Sequence, residues 1–253
     1  MRLLALDSSG LVASAALLED DLLLGEYSTN FHKTHSTTLL PMVDSLFHML
    51  SLDVRKAGID GIAVAKGPGS FTGLRIGAAT AKGLALALEV PIYPVSTLAG
   101  LAQNCWGTED LICPLMDARR GEAYSAVFRF RRDPAGGAGE ASLEQVSRLT
   151  VMDPPKPQKI EAILEAINTM QTPVVFLGDG VPVFAERIRA LCRVPFRWAP
   201  SSMNRQRAAS VGALAMAQRK FAEPIPGSRF APEYLRMSQA ERERQQRKEG
   251  AAS

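Results

Sequence analysis

Carboxyl, hydroxyl and glycine residues gather at a few turns of the chain, and their spacing limits the chemistry each could do. Asp7-Ser8-Ser9-Gly10 follows the apolar run Leu3 to Leu6. An acid there could hold a metal-bound water and Ser8 or Ser9 could donate to phosphate, although Asp-Ser-Ser-Gly is also ordinary hairpin-turn chemistry. Gly67-Pro68-Gly69-Ser70-Phe71-Thr72-Gly73-Leu74-Arg75-Ile76-Gly77 stands between a β-branched run, Ile59 to Ala65, and a stretch of helical spacing, Leu74 to Leu88. Gly67 and Gly69 thus fall in a strand-to-helix turn, where glycine permits positive φ or the close approach of a backbone or an anion. Gly73, Gly77 and Ala81 lie four apart and would serve close packing with no ligand. The pattern is neither a P-loop nor the dinucleotide fingerprint, and spacing alone leaves both roles open.

Other reactive types lack partners. Ser70 and Thr72 have no recognisable histidine and acid beside them as protease nucleophiles would. His32 and His35 stand i, i+3 with no third ligand nearby, which favours a surface or capping role. Cys105, Cys113 and Cys192 form an odd, widely spaced set without a CxxC pair, as expected of reduced core thiols in the cytoplasm.

The elements that must position these residues follow from periodicity. Leu3 to Leu6, Val12 to Leu18 and Leu22 to Tyr27 predict a three-strand meander, and Ser36 to Leu50 a helix with Pro41 in or near its first turn. A strand around Ile62, the helix after Gly73, a strand at Pro91 to Val95 and a helix capped by Ser96 come next. After residue 108 the pattern restarts with Leu111 to Met116, Glu122 to Arg129 and a strand near Leu143 to Leu149, broken by the glycine-rich 133–139. A helix at Lys159 to Thr169, a strand at Val174 to Leu177 and helices at Val183 to Leu191 and Arg205 to Phe221 complete it. The order βββαβαβα is that of a ribonuclease-H-like half. Its return predicts an α/β, two-lobed fold of the actin-like, Hsp70 and sugar-kinase (ASKHA) superfold with a degenerate second half. Residues 1–107 and 108–236 would be the lobes and 237–253 a charged mobile tail.

Composition agrees with a globular protein: 253 residues, 46% hydrophobic, can bury a core, and a formal charge of +3 is too small to mark a nucleic-acid binder. Asp7 interrupts any signal-peptide core and no apolar run approaches ~18 residues, so no membrane association is expected.

The glycine-rich stretch resembles the signature of the bacterial TsaB (YeaZ) family, the dimerisation subunit of the machinery that makes threonylcarbamoyladenosine on tRNA. Further matches are Leu3-Leu4-Ala5-Leu6-Asp7-Ser8-Ser9, Asp117-Ala118-Arg119-Arg120-Gly121-Glu122-Ala123-Tyr124 and Pro232-Glu233-Tyr234-Leu235-Arg236, in family order along almost the whole chain. The resemblance implies a cytoplasmic, non-catalytic partner that activates TsaD, which transfers a threonylcarbamoyl group from an adenylate to adenosine 37 of tRNA. It further implies pairing with TsaD through two N-terminal helices, self-pairing when alone, and association with the ATPase TsaE and with tRNA in the complex. No intrinsic cofactor is expected, and ATP or ADP only in the assembly. In the sister family TsaD, the segment matching Pro94 to Leu101 carries two metal-ligating histidines four apart. Here the positions hold Thr97 and Leu101, which lack the nitrogens.

In the superfold, the turns matching Asp7, Ser8, Ser9, Asp117, Gly178 and Gly180 meet a nucleotide, so the resemblance implies that these would be vestigial contacts. Ala118, Arg119 and Arg120 replace small residues where a γ-phosphate would lie, against independent ATP turnover. The alternatives are an actin-like-fold ATPase or small-molecule kinase, which would hydrolyse nucleotide alone, and a glycoprotease-type metallohydrolase, which would bind metal.

The expected partner surface joins Leu39, Leu40, Val43, Leu46, Phe47 and Leu50, a stripe wider than one buried face needs, to the small-residue face of Gly73, Leu74, Gly77, Ala78 and Ala81. The first helix would also suit a core; the resemblance selects the interface. Arg75 is expected to meet an acid, across that interface or within the chain.

Overall fold

The structure, a computed structural model, describes residues 1–20, 22–30, 35–131, 148–219 and 223–236. Its first sheet contains β1 (Arg2–Asp7), β2 (Ala13–Glu19), β3 (Leu22–Thr29), β4 (Gly61–Gly67) and β5 (Ile92–Ser96), in the order β3-β2-β1-β4-β5. The meander strands pair antiparallel, whereas β4 and β5 join β1 in parallel. The second contains β6 (Leu111–Asp117), β7 (Glu122–Arg131), β8 (Arg148–Lys159), β9 (Val174–Leu177) and β10 (Phe196–Trp198), in the order β8-β7-β6-β9-β10 with the same senses. Three helices follow each meander: α1 (His35–Met49), α2 (Phe71–Leu88) and α3 (Thr97–Gln103), then α4 (Ile160–Met170), α5 (Val181–Leu191) and α6 (Ala208–Gln218). The order βββαβαβα occurs twice, and the sheets correspond strand for strand.

Side-chain alternation along the strands builds the layers. Leu4 and Leu6 of β1 face α1 and α2, where they pack with Leu39, Leu46, Phe47 and Ala81. Leu3 and Ala5 face the opposite way, into a central layer where Leu98 and Leu101 of α3 and Val211 and Leu214 of α6 separate the two sheets. On the far side, Ile163 and Leu164 of α4 and Phe184 of α5 cover Leu115 and Phe176.

The sixth helix follows the second sheet in sequence yet packs on the first. A Cβ on Gly212 would lie 2.3 Å from the Leu18 side chain and 3.1 Å from the Ala5 Cβ, so glycine allows the helix to approach the sheet closely. The first N–H groups of α6 are capped from the first sheet: Ala208 N–H donates to Ser14 Oγ at 2.9 Å and Ala209 N–H to Glu26 Oε1 at 3.0 Å. Arg207 completes this joint with an ion pair to Glu26.

Two elements differ from expectation. Pro41 sits inside α1 rather than in its first turn, on the exposed side of the helix where its missing N–H costs least. The third strand of the second meander begins at Arg148 and includes Pro154, Pro155 and Pro157, which an edge strand tolerates; residues 132–147, and the expected tail, lie outside the described residues. Among the described residues no helix is long and apolar enough to cross a membrane.

Candidate functional site

The β1–β2 turn and the glycine-rich stretch form one joint. Ser8 Oγ donates to Gly73 O at 2.9 Å, and Ser70 N–H donates to Ser9 O at 2.7 Å. A Cβ on Gly73 would lie 2.1 Å from Ser8 O, one on Gly69 2.2 Å from Ser9 O, and one on Gly77 2.6 Å from Ser8 Oγ. These glycines let α2 touch the end of β1. The Ser9 N–H and hydroxyl both donate to Asp7 Oδ1, at 2.8 and 2.6 Å. Burial pushes the Asp7 carboxyl up to about 6, opposed by the Ser9 hydrogen bonds and the nearby His35. The His35 ring shares a hydrogen bond with Gly10 O at 2.8 Å; His32 is outside the described residues. Ser70 caps α2 by accepting from Gly73 N–H, and Thr72 is exposed.

The second sheet repeats this joint. Gly178 has φ of 104°, and a Cβ there would lie 2.2 Å from Leu115 O, which accepts from Gly180 N–H at 2.9 Å. Asp117 Oδ1 accepts from Arg119 N–H at 2.8 Å. Asp179 has its carboxyl raised by burial, against an Asp117 backbone N–H that lowers it.

A strap at the end of the described chain ties the two joints, a role that sequence reasoning missed. Phe230 is buried beneath α2, and Glu233 N–H donates to Lys66 O at 2.7 Å. Gly67, at φ 127° before the cis peptide to Pro68, lies under Glu233 O, which a Cβ would approach to 2.3 Å. Tyr234 stacks on Phe71 with ring centroids 4.7 Å apart. Arg236 reaches the β6–β7 turn of the second sheet, donating to Ala118 O at 2.8 Å and pairing with Glu122 at 2.8 Å. Sequence blocks far apart along the chain thus meet as a spatial cluster, which no local periodicity could have revealed.

The outer helices correct the expected surface. Leu39, Val43, Leu46 and Phe47 are buried against the first sheet, as are Gly73, Leu74, Gly77, Ala78 and Ala81, while Leu50 is half-buried near Gly25. Covering β1, β2 and β4 takes up these faces. What faces outward is Leu40 at 55% exposure, Met49 at 70% and Leu86 at 82%, with Asp44, Arg75, Ala79 and Gly83. Gly83 has nothing within 4 Å of a built Cβ. The signal was available in the i, i+3, i+4 stripe 72, 75, 79, 83, 86, whose large apolar member comes at its end.

Thr97 and Leu101 are fully buried; Leu101 lies in the central layer, and the Thr97 hydroxyl has no hydrogen-bond partner. Among the described residues no group of three or more His, Cys, Asp or Glu could hold a metal ion. Burial pushes Cys105 up to about 11 and Cys113 to about 12, which leaves both thiols protonated. Gln206, absent from the expected sites, is buried beside Gly10 with neither amide atom hydrogen-bonded.

The family model described as TsaD, tRNA N6-adenosine threonylcarbamoyltransferase, matches residues 27–244. The chain is 33% identical over 241 residues to the tRNA threonylcarbamoyladenosine biosynthesis protein TsaB of Bacillus subtilis, spanning 95% of this chain and 96% of that protein. The protein of the same name from Escherichia coli is 37% identical over 141 residues, 54% of this chain and 58% of that one. Among solved structures, an uncharacterized Pseudomonas aeruginosa protein with similarity to peptidase YEAZ superposes with a TM-score of 0.72 at 26% identity, covering 93% of this chain and 99% of the other. YeaZ from the same organism gives 0.70 at 27% identity, covering 92% and 99%.

Proposed function

The chain belongs to the TsaB (YeaZ) family, and from that premise we propose that it serves threonylcarbamoyladenosine formation on tRNA as a non-catalytic partner that activates the TsaD subunit. It docks through the outward faces of α1 and α2. The observation that carries this reading is that those faces keep Leu40, Met49 and Leu86 in solvent and place Gly83 where its lack of a side chain serves nothing within the chain. A helix-interior glycine costs about 0.5–1 kcal/mol relative to alanine, and an approaching partner helix would account for it.

The turn chemistry supports the non-catalytic half of the reading. The Ser8 and Ser9 hydroxyls donate within the chain, and Gly69, Gly73, Gly178 and Gly180 are pressed against its own backbone. In this reading the corresponding sheets are ribonuclease-H-like halves of the ASKHA superfold, with lobes 1–107 and 108–236, and the second half has lost its working parts. TsaE, tRNA and any ATP or ADP join only in the cytoplasmic assembly.

The test is co-purification with the TsaD subunit, comparing wild type with Leu86→Glu and Gly83→Arg. Both changes lie on the surface, so both variants should fold, as circular dichroism will report, and both should lose the complex. Undiminished capture by both would place the interface elsewhere. Steady nucleotide hydrolysis by the purified chain alone would favour the kinase-like alternative.

A further inference from the structure

We propose that the β6–β7 turn, Arg119-Arg120-Gly121, is a contact for the phosphate backbone of RNA, with Lys159 as the third outward cation of the patch. This rests on the reading that places the chain in a tRNA-modifying assembly, and it adds which face of the chain meets the tRNA. The turn is built against the preferences of its residues. Arg119, Arg120 and Gly121 all have positive φ, at 65°, 59° and 75°. Glu122 N–H donates to Arg119 O at 3.2 Å, and Ala118 N–H donates to Glu122 O at 2.9 Å. Positive φ at both central positions is the hairpin geometry that favours Asn-Gly, because a left-handed backbone crowds any Cβ. An arginine held there needs a reason in what its side chain touches.

Within the chain that reason is missing. Arg120 is exposed and, among the described residues, has no hydrogen-bond or ion-pair partner. Arg119 reaches Asp117 at 3.4 Å with 85% of its side chain in solvent, a pair too exposed to stabilise much. Arg75 differs: its guanidinium carbon lies 4.0 Å from the Phe71 ring centroid and its Nε donates to the Tyr234 hydroxyl at 3.4 Å, contacts that replace the expected acid.

Lys159 ends β8 as the register partner of Glu122, with about 5 Å between their Cα atoms. It is exposed, and among the described residues its side chain has no partner. Glu122 does not neutralise it, because Arg236 holds that carboxylate at 2.8 Å. The same arginine donates to Ala118 O at 2.8 Å and so props the turn from below. Arg119, Arg120, Lys159 and Arg236 thus outnumber Asp117 and Glu122. Guanidinium groups on a braced hairpin tip suit phosphate oxygens, which arginine takes bidentately. The exposed residues of the turn include no apolar side chain that would seed a protein interface.

Anisotropy titration of a labelled, unmodified tRNA transcript reads the outcome, on the full chain alone and on its complex with the TsaD subunit. Arg120→Gln and Lys159→Gln should each weaken binding by about threefold and together by about tenfold. Each should also lower the slope of log K against log salt by about 0.7–0.9. Arg55→Gln, which neutralises an exposed cation in the loop before β4, should change neither. Arg120→Gly should weaken RNA binding equally and raise the melting temperature by about 1–3 °C, since glycine relieves the left-handed backbone. No binding by the wild type in either form, an effect no larger than that of Arg55→Gln, or a fall in melting temperature with Arg120→Gly overturns the proposal. Loss of TsaD capture by Arg120→Gln and Lys159→Gln assigns the turn to a protein contact and overturns it as well. Should no complex with TsaD form, the docking reading fails, and the titration of the chain alone still decides this one.

Discussion

At the end of β1 the proton on Asp7 belongs to the folding equilibrium. Its carboxyl is raised by burial to about 6 from 3.8, so between those limits the folded state binds more protons than the unfolded one. Stability therefore falls as pH rises through that window, by an amount on the order of 2–3 kcal/mol from this group. Asp7→Asn keeps an oxygen for the two Ser9 donors and cannot ionise. Urea midpoints at pH 4 and pH 7.5 should show the wild type losing stability across the interval and Asp7→Asn losing less, ending the more stable at pH 7.5. An equal loss in both would assign the slope to another group. The sequence announced an acid and two hydroxyls in a turn; it could not announce that Gly73 would take up the Ser8 hydroxyl, because that depends on α2 arriving from 65 residues away.

The second helix has glycines on both faces, and they should respond oppositely to one methyl group. Gly73→Ala forces a Cβ to within 2.1 Å of the Ser8 carbonyl and should cost about 1–3 kcal/mol. Gly83→Ala meets nothing within 4 Å and should stabilise the isolated chain by about 0.5–1 kcal/mol. Thermal melts of the two variants check the contrast, and equal effects would mean that the helix sits differently on β1. Periodicity made this helix legible and its glycine spacing made close packing legible. Which neighbour each glycine met was not, since a stripe of small residues reads alike whether it faces a sheet, a partner or water. The same limit hid β8, whose prolines look like loop until its edge position is known, whereas β9 at Val174–Leu177 was readable from its unbroken apolar run.

At the scale of the molecule, α6 decides how the parts depend on one another. The first sheet exposes Leu3, Ala5, Ala16 and Leu18 toward the centre, and Val211 and Leu214 cover them from beyond the second sheet. A fragment of residues 1–107 should therefore be poorly soluble or molten, and the full chain should unfold in one calorimetric transition. Two resolved transitions, or a well-dispersed NMR spectrum of the fragment, would show the lobes to be separable. The repeat of element order was visible in the sequence. The return of its last helix was not, because capping of Ala208 by Ser14 joins positions that no local pattern relates.

That return also orders events during synthesis. A ribosome delivers the outer helices early, but the sheet beneath them stays half-clad until Gln218 has emerged, and the strap that seats Tyr234 on Phe71 comes later still. A product terminated before Val211 thus carries α1 and α2 on a sheet whose inner face lacks Val211 and Leu214, and it lacks the strap over Gly67 as well.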